Sequence, residues 1–112
     1  MDECLFCKII EGVIPSKKVY EDENVYAFCD INPVAPVHVL IVPKKHIPGT
    51  NDISREDDGL LGNMFEAARK IAKDTGVSED GYRIVFNCGE NGGQSVPHLH
   101  MHLIGGKKLG WG

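Results

Sequence analysis

Histidines at alternate positions, His98, His100 and His102, with Leu99 and Met101 between them, set the tightest constraint on this chain. On an extended strand, side chains alternate faces with a period of two. The spacing therefore predicts a strand from Pro97 to Ile104, with three imidazoles on one face and Leu99, Met101 and Leu103 on the other. A strand does not need three imidazoles on one face for stability, so chemistry is expected there. Neutral imidazole is well populated near pH 7 and is a competent nucleophile. Crowding disfavours a second positive charge, which lowers the pKa of the central ring and keeps it neutral. Attack by such a ring on phosphorus gives a labile phosphoramidate that water can cleave.

The segment Asn87-Cys88-Gly89-Glu90-Asn91-Gly92-Gly93-Gln94-Ser95-Val96 leads directly into this run. Its glycines free backbone amides for close approach, and with the small polar side chains they can cradle phosphate oxygens. The other elements are shorter. Cys4 to Ile10 suits a turn or two of helix. Lys18 to Glu21 and Val25 to Asp30 suit strands joined by a hairpin turn at Asp22-Glu23-Asn24. Val37 to Val42 is apolar almost throughout, which predicts a central strand buried on both faces. A long helix is expected from about Ser54 to Thr75. Ser54 and Asp57 form a capping box, Leu60, Leu61, Met64, Phe65, Ala68, Ile71 and Ala72 recur at helical spacing, and Gly76 ends it. Tyr82 to Cys88 predicts the fourth strand. The sum is an α+β domain spanning residues 1–112, an antiparallel sheet with one major helix.

A net charge of −4 argues against a DNA- or RNA-coating surface, and no apolar run approaches a membrane span. The start Met1-Asp2-Glu3 lacks the basic and apolar pattern of a signal peptide, so a cytoplasmic location is expected. There disulfides are disfavoured, and Cys29 and Cys88 are expected as small buried residues. Cys4 and Cys7 form a Cys-x-x-Cys pair without the βαβ context of a redox motif. Lys17-Lys18, Lys44-Lys45 and Lys107-Lys108 suit solvated surface, with Lys44 or Lys45 able to add positive potential near a phosphate.

The stretch Gly92-Gly93-Gln94-Ser95-Val96-Pro97-His98-Leu99-His100-Met101-His102-Leu103-Ile104-Gly105-Gly106 resembles the signature of the histidine triad (HIT) family. It looks closest to the Hint branch, the purine nucleoside phosphoramidases. The likeness extends over Phe6 to Pro15, Tyr20 to Pro36, His38 to His46 and Trp111. It implies a HIT-like fold of about five antiparallel strands with one long helix and a short N-terminal helix. It also implies that His100 is the nucleophile that takes the nucleotidyl group, with the His98 carbonyl fixing its tautomer. His102 and His38 match histidines lining the phosphate site. Ser95 matches a serine that assists the leaving group, with Gln94 and Asn87 as its polar neighbours and Gly93 and Val96 beside it. Asp30 matches the acid that binds the ribose hydroxyls, and Phe6, Ile9, Phe28 and Ile31 match an apolar slot for the base.

Relatives with a Cys-x-x-Cys use it with two histidines to hold zinc, and the matching residues here are Cys4, Cys7, His46 and His98. Two thiolates and two imidazoles close a tetrahedral Zn²⁺ site, which makes it structural. The resemblance further implies a homodimer, with Leu109-Gly110-Trp111-Gly112 near the partner's site, and a purine nucleotide or nucleoside phosphoramidate as ligand. Two rival readings share these residues: a dinucleoside polyphosphate hydrolase, and a nucleotide-binding module with vestigial turnover. Gly105-Gly106 favours the phosphoramidase branch over the first. The intact set His38, Ser95, His98, His100 and His102 argues against the second.

Overall fold

The structure is a computed structural model that describes residues 4–111; the acidic start Met1-Asp2-Glu3 and the final Gly112 lie outside the described residues. One short helix, one long helix and five strands carry the architecture: α1 (Leu5–Ile10), β1 (Lys18–Glu21), β2 (Val25–Cys29), β3 (Val37–Pro43), α2 (Asp58–Asp74, the long helix), β4 (Tyr82–Phe86) and β5 (Met101–Gly105). The strands form one antiparallel sheet in the order β1-β2-β3-β5-β4. The turn between β1 and β2 is organised by the Asp22 carboxylate. It accepts the amides of Asn24 and Val25 at 2.8 and 2.9 Å and the Tyr20 hydroxyl at 2.7 Å.

Apolar residues on both faces of β2 and β3 make these strands the middle of a three-layer arrangement. Val25, Ala27, Val39, Ile41, Met101 and Leu103 face α2 and pack on Met64, Ala67, Ala68, Ile71 and Ala72. Tyr26, Phe28, Leu40 and Val42 face the other way and are covered by Phe6, Cys7 and Ile9 of α1. α1 is short, so it covers only part of this second face. Beyond it, among the described residues, the outer side of β5 and β4 carries a groove bordered by residues 107–111, and the candidate residues His38 and His102 lie along that boundary.

The capping box expected at Ser54 and Asp57 is present, with the Asp57 carboxylate accepting the Ser54 amide (3.0 Å) while it also pairs with Lys45 (2.7 Å). The first turn it caps, Arg55–Asp57, is a tighter 3-10 turn, a common start for a helix, and α2 itself begins at Asp58. The helix ends as expected, with Gly76 at φ +81° and the Val77 amide donating to the Ala72 carbonyl at 3.0 Å. Phe65 turns out to lie on the rim of the apolar face, 43% exposed, against Phe86. β4 stops at Phe86, where its ladder with β5 ends, so Cys88 lies in the following loop; Cys88 and Cys29 are both half-buried rather than core. Lys44 pairs with Glu21 (2.8 Å) and Lys45 with Asp57, so neither ammonium is directed to a phosphate site.

The largest departure concerns the histidine run. β5 begins only at Met101, so of the three histidines only His102 belongs to the paired strand. The β3 ladder with β5 ends at Ile41↔Met101. Upstream of it, the Leu99 amide donates to the Ile47 carbonyl (2.7 Å), and His98 sits in a tight turn with its amide on Val96 (2.8 Å). The alternation of faces survives in this irregular extended segment. Leu99, Met101 and Leu103 join the α2 core, and all three imidazoles lie on the α1 side.

Candidate active site

The loop before the histidines is closed mostly by its own backbone. The Gly93 amide donates to Glu90 O and the Gln94 amide to Gly89 O, each at 3.0 Å, while Asn87 Nδ2 donates to Gly92 O at 2.7 Å. Gly93 adopts φ +82°, and a Cβ on Gly92 would stand 2.3 Å from the Cys88 carbonyl oxygen. The glycines thus serve the loop's own closure. The amides of Gly89, Gly93 and Gln94 are bonded within it, contrary to the expectation that they turn outward to cradle a ligand. The Gln94 side chain is a tie: Oε1 accepts the Gly89 amide at 3.0 Å, and Nε2 donates to Pro48 O at 2.8 Å and Val96 O at 3.0 Å. Ser95 is exposed next to it, and Val96 is half-buried against the α1 layer.

His98 is fully buried, and its Nε2–H donates to the Pro43 carbonyl at 2.9 Å. A carbonyl can only accept, so neutral His98 has a bare Nδ1. That nitrogen stands 3.3 Å from Cys4 Sγ, 3.6 Å from Cys7 Sγ and 3.2 Å from His46 Nδ1, and Cys7 Sγ is 3.5 Å from His46 Nδ1. The four ligand-type atoms lie within 4.8 Å of one another. A tetrahedron with metal–nitrogen and metal–sulfur bonds of about 2.0 and 2.3 Å has edges of roughly 3.3–3.8 Å, which these spacings match. Burial, with the neighbouring Cys4 thiol adding, pushes the Cys7 thiol up to about 11. A cation between the thiols would reverse that balance.

His98 also supplies the next contact through its backbone. His100 Nδ1–H donates to the His98 carbonyl at 2.8 Å, which leaves His100 Nε2 with a free lone pair. The Phe6 ring meets His100 edge-on, with centroids 5.0 Å apart. Phe6, Ile9 and Phe28 are buried in the α1 layer, whereas Ile31 is 91% exposed on the connection between β2 and β3. His38, on β3, lies diagonally from His102. Its Nε2 is 2.9 Å from His102 Nδ1 and 3.4 Å from Asp30 Oδ2, and its Nδ1 accepts the Val34 amide at 3.2 Å. A groove of about 940 Å³ on the open face runs from His38, His102 and Asn87 to Arg83, Lys107 and Trp111. This size suits a nucleotide-scale ligand. Three contributors had no signal in the sequence: the Val34 amide, the Pro43 carbonyl and the Ile47 carbonyl act through backbone atoms that every residue type shares.

Burial, with His100 and His38 adding, pushes His102 down to about 4, and burial likewise lowers His98. An unfolded histidine titrates near 6.5. Between about 4 and 6.5 the unfolded chain therefore binds a proton that native His102 refuses. Stability is expected in full above about pH 6.5 and declines as pH falls toward 4. Urea unfolding at pH 7 and pH 5 checks this: wild type should lose more stability on acidification than His102→Gln. Equal losses would refute the assignment.

The model of the HIT domain family matches residues 11–109. The chain is 51% identical over 109 residues to the purine nucleoside phosphoramidase of Escherichia coli strain K12, covering 97% of this chain and 92% of that protein. Among solved structures it is similar to a HIT family hydrolase from Legionella pneumophila Philadelphia 1, with a TM-score of 0.96, 52% identity and 97% of each chain covered. It is also similar to a histidine triad protein from Clostridium difficile, with a TM-score of 0.94, 51% identity, and 98% of this chain and 95% of that one covered.

Proposed function

Because this chain belongs to the HIT domain family, we propose that it is a nucleotide hydrolase that cleaves the P–N bond of purine nucleoside 5′-phosphoramidates through a covalent nucleotidyl-His100. The observation that carries this reading is the 2.8 Å bond from His100 Nδ1–H to the His98 carbonyl, which leaves Nε2 free to attack. His100 Nε2 forms a bond to phosphorus as the P–N bond of the substrate breaks. The departing nitrogen takes a proton from the exposed Ser95 hydroxyl, which regains one from solvent, and leaves as the amine. The positive charge on the nucleotidyl-imidazole is stabilised at Nδ1–H by the His98 carbonyl. Water then attacks phosphorus and releases its proton to solvent, which balances the proton taken up by the amine. The P–Nε2 bond breaks, releasing the nucleoside monophosphate and neutral His100. His102 faces the phosphate oxygens, Asp30 takes the ribose hydroxyls, and Phe6, Ile9, Phe28 and Ile31 border the base.

The same reading places zinc between Cys4, Cys7, His46 and His98, whose ligand atoms have the spacing and the bare Nδ1 that a tetrahedral ion requires. With four protein ligands such an ion would have no open position, and Cys4, Cys7, His46 and His98 would through it cross-link α1 and the segment after β3 to the histidine run. It also takes residues 1–112 as one domain acting in the cytoplasm, and as a homodimer, for which the edge strands β1 and β4 leave sheet edges that a second copy can pair with.

Intact-protein mass after rapid mixing with adenosine 5′-phosphoramidate tests the mechanism. A transient species heavier by one adenylyl group, decaying as AMP appears, is expected. AMP release with no adduct at any time would overturn the covalent route. Preference for a dinucleoside polyphosphate at equal concentration would move the enzyme to that substrate class.

A further inference from the structure

Asp30, His38 and His102 also bring their ligand-type atoms within 4.8 Å of one another, like the cysteine-containing cluster. The two groups differ in where their protons must sit. In the cysteine cluster a carbonyl accepts from His98 Nε2–H, so the nitrogen facing the other ligands is bare. In the second group the backbone partner has the opposite polarity. The Val34 amide can only donate, so His38 Nδ1 must accept, and neutral His38 carries its proton on Nε2. A cation at His38 Nε2 would require that proton to move to Nδ1, where it would face the Val34 N–H. The group is therefore built to carry a proton and not a metal.

We infer that His38 is a positioning residue which, set by the Val34 amide, fixes His102 as the neutral Nε2–H tautomer, so that His102 donates a hydrogen bond to the substrate phosphate and does not act as a base. His38 Nε2–H points at His102 Nδ1 at 2.9 Å, so His102 Nδ1 accepts. Neutral His102 must then hold its proton on Nε2. Adding a second proton to His102 would set two N–H groups against each other or break the Val34 bond. The low pKa of His102 agrees with this arrangement. The charged and titratable groups facing the pair are few. Asp30 Oδ2, 3.4 Å from His38 Nε2, is a weaker second acceptor for the same proton. The His100 ring lies 5.1 Å from His102, and Arg83, Lys107 and Lys108 line the adjoining groove. The nucleophile and its neighbour thus hold opposite tautomers: His100 is bare at Nε2 and attacks, and His102 bears a proton at Nε2 and donates.

The kinetic part of this inference rests on His100 being the nucleophile; the tautomer does not, and it is read in the free protein. Nitrogen-15 NMR of histidine-labelled protein at pH 6–8 should show His102 neutral with Nδ1 bare and Nε2 protonated. His38→Ala should mix the two tautomers and lower kcat by about 10²-fold, as misplacing one stabilising donor does, with KM changed far less. His38→Gln puts an amide donor where Nε2–H was; it should restore the Nε2–H tautomer and recover most of kcat. In wild type, a cationic His102 or a proton on Nδ1 would overturn the inference, whatever the turnover. Equal kcat losses in both variants with the wild-type tautomer retained would overturn it as well. A missing adenylyl adduct in wild type with the tautomer as expected would count against the nucleophile assignment alone.

Discussion

His100→Ala is expected to lose on the order of 10⁴-fold in kcat/KM for adenosine 5′-phosphoramidate, a barrier increase of about 5 kcal/mol, and to form no adenylyl adduct. His100 is buried and touches Phe6, His98 and His102, so removing its ring empties a small space beside α1 without breaking the sheet. Binding of AMP should change by less than about tenfold, because the groove, Asp30 and the Gln94-tied loop remain. That split between chemistry and binding distinguishes a lost nucleophile from a damaged fold. A variant that kept a tenth of the wild-type rate would transfer the attack to another group or to water.

The second large effect is expected at the cysteine cluster. Purified protein should contain about one zinc per chain by elemental analysis. Cys7→Ser should lose it, with a stability loss on the order of 3 kcal/mol. That is well below the roughly 10–16 kcal/mol of zinc-finger peptides, because here two packed faces of a sheet hold the fold without the ion. The thermal midpoint should fall by about 4 °C for each kcal/mol. The loss should reach His100 as well. His98 contributes its side chain to the cluster and its carbonyl to His100 Nδ1–H, so loosening the first should broaden the Nδ1–H signal of the second. Zinc-free wild type with unchanged stability would remove the cluster's structural role.

Periodicity made much of the fold legible. The apolar run Val37 to Val42 became a strand covered on both sides, and the helical stripe through Met64 and Ile71 became the face of α2. Boundaries were less legible. α2 is preceded by a 3-10 turn inside its own capping box, and β5 starts late because the ladder with β3 ends at Met101 and the Leu99 amide turns to the Ile47 carbonyl. Of the expected base slot, Phe6 and Ile9 of α1 lie buried together with Phe28 of β2, while Ile31 projects to solvent.

The histidine run determined, from its period alone, that three imidazoles share one side and three apolar residues the other, and the structure keeps that division even where the strand is not formed. The run could not determine which nitrogen of each imidazole is left bare, because the three have the same side chain and nearly the same neighbours in sequence. Only the tertiary structure decided it, by what it set against each ring. The Pro43 carbonyl takes the proton of His98 at Nε2, the His98 carbonyl takes that of His100 at Nδ1, and the Val34 amide acts on His102 through His38. An imidazole's bare nitrogen is fixed by whether its other nitrogen meets a donor or an acceptor. Two of these settings depend on backbone groups of residues 34 and 43, more than fifty positions away along the chain.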